Sequence, residues 1–491
     1  MKGTTSFYLL TDTHLVSKSN WVDAPPINRR ERGDQIALKA SPEILDAFLA
    51  KIIADKDTDN VIFIGDNVNS GDIASHEDFR ARLDRLKAAG KKVYVTTATH
   101  DYCSPNGEDE CFQHDAVRYT ETGTEPTAFF LRKDLAAFYN DYGPKQALSV
   151  DPESGSYTVQ LGDGVRMILI IDNGNGRSHC GLFEEGMQWL ADQIKDAKAT
   201  GNFVMLAVHH PVISPWEVYR HLVEYELYGG YRELSELMCS EGVRVVFTGH
   251  THVQNIRKYT DDAGRWFVDV STTAAVSAKG QMRHVTVNAD TGDCDIQSVG
   301  IETLPGIDTG GQSAYDYLYG LNFAGRVERF FPLLKTDFDR FLEETNGVLP
   351  AEKLRAHKTL AKLGLRTAAG LKLSFAAKLG KVWRSLTPQQ KKAAKQTKLF
   401  DVLFTIFRHI YPGNAPYTPD TLEYTVLHAL MERLDRLVEK HKIEKVQKLI
   451  PPGSSLTEMG EDFLYNNRTG DDNAIRLNLN TTSGKEGDSV S

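Results

Sequence analysis

An α/β layered sandwich with a mixed sheet, followed by a helical region, is the fold class that three features of this sequence predict. Short apolar runs alternate with amphipathic helical stretches up to about residue 305. After Gly249 the helical spacing gives way to strands separated by turn residues. Residues 304–314, rich in Gly, Pro, Asp and Ser, then lead into segments of helical spacing. Length agrees, because 491 residues exceed one ordinary core and two domains are expected. Their expected bounds are 1–305 and 315–468, with a polar Gly/Ser-rich tail at 469–491 expected to be disordered.

Five apolar runs read as buried strands: Phe7 to Leu10, Val61 to Ile64, Val93 to Val95, Phe203 to Val208 and Val243 to Phe247. Ser41-Pro42-Glu43 is a helix start, and Ile44, Leu45, Phe48, Leu49 and Ile52 keep helical spacing behind it. Further helices are expected at Phe79 to Ala89, Phe183 to Ala197 and Tyr231 to Cys239, each ending near a glycine. Strands follow at Asn255 to Thr260, Trp266 to Ser271, His284 to Asn288 and Cys294 to Val299. Tyr102 to Gly155 and Val212 to Gly230 are insertions, the kind of loop that carries specificity. Beyond the linker, Arg326 to Glu343, Glu352 to Val382, Pro388 to Ile410 and Pro419 to Lys442 read as long helical segments.

Composition narrows the function classes. The formal net charge of -9 argues against a general polyanion binder, so no nucleic-acid polymer is expected as partner. No apolar stretch reaches the roughly 18 residues of a membrane span. The first strand begins at Phe7, which leaves no room for a leader, so a cytoplasmic location is expected. The five cysteines form no CxxC pair and read as reduced thiols, Cys103 with Cys111 being the one conceivable bridge. Residues 353–398 hold thirteen Lys/Arg and no Asp/Glu. Three readings stay open for them: a solvated basic face, a basic wall that draws an anionic substrate into a cleft, or, more weakly, docking to a membrane or nucleic acid.

Each of the five apolar runs is followed by a short Asp/His motif. These are Asp12-Thr13-His14, Gly65-Asp66-Asn67, Thr99-His100-Asp101, His209-His210-Pro211 and Gly249-His250-Thr251-His252. Carboxylates and imidazoles at five strand ends can converge on one spot, and such a cluster suits two divalent metals. A metal pair about 3.5–4 Å apart neutralises phosphate charge, activates water and stabilises a leaving oxygen. Asp66 is the natural bridging carboxylate, since the preceding glycine lets the strand end turn sharply. His100 is a different case. Asp101 follows it and is expected to accept its ring N–H, which suits a proton donor to the leaving group or a stabiliser of the phosphorane-like transition state.

In this order the motifs resemble the calcineurin-like metallophosphoesterase superfamily, whose pattern is DxH, GD, GNH[DE], a later His and GHxH. The resemblance spans about residues 6–300, with four of the five blocks matched in full. It implies a four-layer αββα metallophosphoesterase sandwich. By the same analogy Asp12, His14, Asp66 and His252 hold one metal, and Asp66, His209 and His250 the second. His209 is preferred to His210, because the family usually shows His, any residue, Pro. The family's Asn ligand is replaced by Thr99, a shorter and poorer donor. Mn²⁺ and/or Fe is favoured at such a site, with Zn²⁺ as a further possibility.

Absences narrow the branch. Ser70 stands where Ser/Thr protein phosphatases place an Arg, and Asn69 where purple acid phosphatases place a Tyr. What remains is most similar to the class III cyclic-nucleotide phosphodiesterases, as are Asp172-Asn173 and Gln188-Trp189-Leu190. The expected activity is hydrolysis of a small phosphodiester, with cyclic nucleotides as leading substrate, by a metal-bridging hydroxide. Alternatives are a phosphomonoesterase, a nucleotide pyrophosphatase, or a metal-binding scaffold weakened at Thr99. The sequence carries no signal for oligomeric state.

Other residues carry weaker signals. Asn173 and His221 are candidate substrate contacts, as is Arg177. Trp216, Tyr219, Arg220, Tyr225 and Tyr228 in the second insertion could stack on a base, cover the site, or pack the insertion onto the helical region. Arg29, Arg30 and Arg32 follow the first motif and read as solvated loop arginines, with phosphate contact as the alternative. His210 and the remaining histidines default to packing or surface roles.

Overall fold

The computed structural model describes residues 3–33, 36–104, 116–173, 180–215, 226–345, 351–447, 450, 454–465 and 470–481. In chain order the strands are β1 (Thr4–Leu10), β2 (Asn60–Ile64), β3 (Lys92–Thr96), β4 (Val117–Tyr119) and β5 (Thr124–Pro126). Next come β6 (Ser149–Val150), β7 (Tyr157–Gly162), β8 (Val165–Ile170), β9 (Phe203–Val208) and β10 (Val245–Thr248). The last are β11 (Asn255–Thr260), β12 (Trp266–Ser271), β13 (Gln281–Asn288), β14 (Asp293–Gly300) and β15 (Ala474–Asn478).

Two mixed sheets result. One has six strands in the order β15-β14-β13-β1-β2-β3, the other seven in the order β11-β12-β10-β9-β8-β7-β6. β1, β2 and β3 are mutually parallel, as are β8, β9, β10 and β12. Strand periodicity then assigns the layers. Phe7 and Leu9 of β1 point between the sheets, where they join Ile62, Met205, Phe247 and Val268. Tyr8 and Leu10 point the other way, onto Phe48 and Leu49 of the helix Ser41–Ala54 and Phe79 of the helix Ile73–Ala88. On the second sheet Ile168, Leu206 and Val246 face Leu190, Ile194 and Met238 of the helices Glu184–Ala199 and Tyr231–Glu241. This is the four-layer αββα order. Strands covered on both faces must be apolar at every position, which is why continuous runs, not alternating ones, mark them in the sequence.

The helical region follows, in shorter pieces than the spacing predicts. Arg326 to Glu343 is divided among the helices Phe323–Phe330, Leu333–Thr336 and Phe338–Glu344. Pro332 cannot continue the first, and Asp337 caps the last by accepting from Arg340 N. Glu352 to Val382 is interrupted near Leu371, and Pro388 to Ile410 near Thr397. These two breaks lie side by side. Leu373 N donates to Thr397 O at 2.9 Å and Leu399 N to Leu371 O at 3.0 Å, so backbone groups freed by one break satisfy the other. Periodicity runs through both points, so only the tertiary pairing reveals them. In the basic stretch, Lys378 and Lys395 both lie over the Trp383 ring, at 5.4 and 5.8 Å from its centroid.

The expectation of a disordered tail is corrected for the described part of it. β15 pairs antiparallel with β14, and Ile475 and Leu477 enter the core between the sheets. The alternation in Ala474-Ile475-Arg476-Leu477-Asn478 is an edge-strand signal outweighed by the polar composition around it. Just before β15, buried Asp472 accepts from Asn255 Nδ2 at 3.0 Å and Asn414 N at 2.7 Å. The tail thereby ties the helical region to β11. Among the described residues no helix is long and apolar enough to cross a membrane.

Candidate metal centre

Asp12, Asp66 and Thr99 lie just beyond the carboxyl ends of the parallel strands β1, β2 and β3. His209 and His250 lie just beyond those of β9 and β10 in the other sheet. The seam between two sheets therefore places all five motifs at one end of the sandwich, where strand ends leave side chains uncovered by the ladder. The loops also bind one another: Asp12 N donates to Gly65 O at 3.1 Å, His14 N to Asp66 O at 2.9 Å and Gly249 N to His209 O at 2.9 Å.

The backbone at these ends is strained. Asp12 (φ 51), His14 (φ 38), Asp66 (φ 49), His250 (φ 67) and His252 (φ 59) all occupy the left-handed region. Each costs about 1–2 kcal/mol in a non-glycine residue. Packing enforces the turns. A Cβ on Gly65 (φ +91) would stand 2.6 Å from Ala98 Cβ, and one on Gly249 would stand 2.1 Å from Thr11 Oγ1.

Each carboxylate is anchored by one oxygen and presents the other. Asp12 Oδ2 accepts from Thr11 Oγ1 at 2.6 Å and His250 N at 3.0 Å. Its Oδ1 faces the Nε2 atoms of His252 (3.3 Å), His14 (3.6 Å) and His209 (3.8 Å). Asp66 Oδ1 accepts from His100 N at 2.9 Å, while Oδ2 lies 3.1 Å from His209 Nε2 and 4.0 Å from His14 Nε2. Three groups each gather their ligating atoms within 4.8 Å: Asp12 with His14 and His252, Asp66 with His209 and His250, and His14 with Asp66 and His100.

Electrostatics and tautomers point the same way. Burial would raise both carboxyls, yet the neighbouring imidazoles, His209 foremost, hold Asp12 and Asp66 well below the carboxylate range. Burial would lower His209, but the charges of Asp66 and Asp12 push it up to about 10. The pocket is thus strongly favourable to positive charge. His209 Nδ1–H donates to Ile64 O at 2.8 Å, which leaves Nε2 toward Asp66. His14 Nε2 and His252 Nε2 face each other at 3.1 Å, and two imidazole lone pairs meet stably only across a proton or a cation. Asp12 Oδ1, Thr99 Oγ1 and His209 Nε2 are buried without a hydrogen-bond partner among the described residues. Buried polar atoms in that state are costly, and a bound cation would satisfy them. The donor set fits a metal.

Asp101 does not accept the ring N–H of His100, contrary to expectation. His100 Nδ1 donates instead to Asn69 O at 2.7 Å. Asp101 is buried and braces the turn: its carboxylate accepts from Ala98 N (2.8 Å), Val68 N (3.0 Å) and Asn67 Nδ2 (3.1 Å). Burial and the charge of Asp66 push it up to about 8. His76 supports the same turn from behind, its ring bonding Asp101 O at 2.8 Å and Tyr139 OH at 2.6 Å.

His210 has both ring nitrogens engaged, Nδ1 with Asp172 Oδ2 at 2.9 Å and Nε2 with Cys180 Sγ at 3.3 Å. Asn173 is fully buried at the end of β8, with neither amide atom hydrogen-bonded among the described residues. Among the described residues Tyr228 packs under the second sheet's helices, its hydroxyl accepting from Leu182 N at 3.1 Å. Arg29, Arg30 and Arg32 belong to the short helix Pro25–Arg32. His221, Arg177, Trp216, Tyr219, Arg220, Tyr225 and Cys111 lie outside the described residues. Sequence reasoning missed Glu226, whose carboxylate hydrogen-bonds His250 Nε2. One of three glutamates in an aromatic-rich insertion, Glu226 carries no periodic or motif signal.

A layered α/β sandwich that gathers carboxylates and imidazoles at parallel strand ends belongs to the class of metal-site phosphoesterase folds. More particularly, the family model for calcineurin-like phosphoesterases matches residues 5–254, and the chain belongs to that family. Among solved structures, a dimetal phosphatase from Danio rerio is similar at 13% identity, covering 61% of this chain and 96% of that chain with a TM-score of 0.44. A purple acid phosphatase, PPD1, from yellow lupin (Lupinus luteus) is similar at 12% identity, covering 61% and 52% with a TM-score of 0.40. No curated protein matches the sequence.

Proposed function

We propose that this chain is a dinuclear metal-dependent phosphoesterase acting on small phosphodiesters, with cyclic nucleotides as leading substrate class. The observation that carries the reading is Asp66: one of its oxygens is fixed by His100 N, and its ligating atoms reach both the His209–His250 group and His14. Asp12, His14, Asp66 and His252 would hold one divalent ion, and Asp66, His209, His250 and Thr99 the other. Mn²⁺ or Fe suits this imidazole and carboxylate set, with Zn²⁺ next. When bound, the pair supplies charge neutralisation and an activated water.

The chain's own groups do the rest. The left-handed turns hold the donors pre-organised, so little reorganisation is needed on substrate binding. His100, partly buried, keeps Nδ1–H on the Asn69 carbonyl and shares a ligating group with His14 and Asp66. From there it holds a proton for the leaving oxygen. The preference for a diester rests on the motif pattern: Ser70 and Asn69 replace the Arg and Tyr of the two monoesterase branches.

The test is turnover of bis(p-nitrophenyl) phosphate and p-nitrophenyl phosphate by Mn²⁺-loaded protein. A higher kcat/KM for the diester is expected. The reverse order overturns the diester reading, and no turnover of either by metal-replete protein at any pH overturns the enzyme. The buried, unpaired Thr99 hydroxyl favours one second reading, a metal-binding scaffold of weakened activity, and that last outcome would support it.

A further inference from the structure

Glu226 reaches the site from the end of the Val212–Gly230 insertion, outside all five motifs. Its carboxylate accepts a hydrogen bond at His250 Nε2, and both side chains are largely shielded, at 19% and 10% exposure. A neutral imidazole that donates from Nε2 keeps its lone pair on Nδ1. His209 shows the mirror arrangement, donating Nδ1–H to Ile64 O and keeping Nε2 for Asp66. Glu226 is not a member of the group whose ligating atoms Asp66, His209 and His250 gather within 4.8 Å. The ring is also held on its face, 4.3 Å from the His210 ring, and His210 is itself fixed by Asp172 and Cys180.

We propose that Glu226 is a positioning residue that locks His250 in the Nδ1-ligating tautomer and strengthens the metal position where Thr99 is a poor donor. The inference rests on the dinuclear reading above and deepens it. A carboxylate behind a ligating imidazole raises its basicity and fixes its orientation, and losing such a partner costs about 10- to 100-fold in metal affinity. Thr99 offers a neutral hydroxyl where an amide carbonyl would bind better. Charge delivered through His250 offsets that deficit on the same ion, whereas the other position keeps both aspartates and needs none.

The experiment is calorimetric titration of metal-free protein with Mn²⁺, comparing wild type with Glu226→Gln, Glu226→Asp and Glu226→Ala. Glutamine can still accept from Nε2–H but removes the charge; alanine removes both. The expected result is a 10- to 100-fold loss of affinity at one of two sites in Glu226→Gln, a larger loss in Glu226→Ala and partial recovery in Glu226→Asp. In the Co²⁺-loaded protein, a paramagnetically shifted exchangeable imidazole N–H signal should vanish in Glu226→Ala and persist in Glu226→Asp. Unchanged affinities with that signal retained in Glu226→Ala overturn the proposal. So does an equal loss at both sites, which marks general damage. Wild type that binds no metal pair overturns the dinuclear reading itself, and this proposal falls with it.

Discussion

Thr99 concentrates the chemistry of the site in one side chain. It is fully buried, and its hydroxyl oxygen has no hydrogen-bond partner among the described residues. An unpaired buried hydroxyl costs about 1–3 kcal/mol, so it persists where a bound species satisfies it. Asparagine at this position would extend a carbonyl oxygen further into the cluster. We expect Thr99→Asn to tighten one metal site about tenfold, read by Mn²⁺ titration, a gain of about 1.4 kcal/mol. An unchanged titration would show that Thr99 does not face the metal.

His100 and His76 separate two roles within one turn. His100→Ala should lower kcat about 100- to 10,000-fold with metal stoichiometry intact, the usual worth of a positioned proton donor. Wild-type-like kcat would remove His100 from the mechanism. His76 is held neutral by burial, at about 4 against an ordinary 6.5. A depressed folded-state value means stability is fully present above pH 6.5 and is lost as pH falls toward 4. That shift is worth about 3 kcal/mol. The difference between pH 7 and pH 4 in denaturant-measured stability should therefore shrink in His76→Gln, even though the variant is weaker at pH 7. Parallel pH curves for the two proteins would contradict this account.

At the level of elements, the strand ends matter more than the strands. β1, β2, β9 and β10 are ordinary buried strands whose following residues turn sharply, and Gly65 and Gly249 make two of those turns possible. Gly65→Ala places a methyl 2.6 Å from Ala98 Cβ and 2.9 Å from His209 Nδ1 in a left-handed residue. A loss of about 2–4 kcal/mol is expected, read from the shift in the urea unfolding midpoint. Metal affinity should fall with it, because His209 must move. A variant as stable as wild type would mean that the β2 turn relaxes freely.

The motifs, their order and the strands before them were legible because each buried strand is an uninterrupted apolar run and each site residue sits directly after one. The breaks at Leu371 and Thr397 were not legible, since each exists to satisfy the other's backbone. Nor was the partner of His100. Adjacency in sequence pointed to Asp101, while the fold brought up the Asn69 carbonyl.

Across the whole molecule, the C-terminal segment is a clamp. Ile475 and Leu477 are buried between the sheets, and Asp472 joins β11 to Asn414 of the helical region. Buried Arg283 adds to it, donating to Asp472 O at 2.9 Å and Ser271 O at 2.8 Å. Removing residues 470–491 would take away two buried aliphatic side chains, a loss of about 1.5–3 kcal/mol each, and would deprive Arg283 and Asn414 of their contacts with Asp472. Thermal unfolding should shift several degrees lower, and protease should cut the helical region sooner. Unchanged melting would show that the clamp carries no load.

The sequence alone determined the layered α/β class, the five motifs and their order, because apolar runs and strand-end turns are local signals. Only the tertiary structure decided which oxygen of each aspartate faces the cluster, which nitrogen His209 and His100 present, and that Glu226 stands behind His250. It also decided that a polar tail becomes the sixth strand of a sheet. Those facts depend on contacts between segments far apart in the chain, and no local pattern of residues encodes such a pairing.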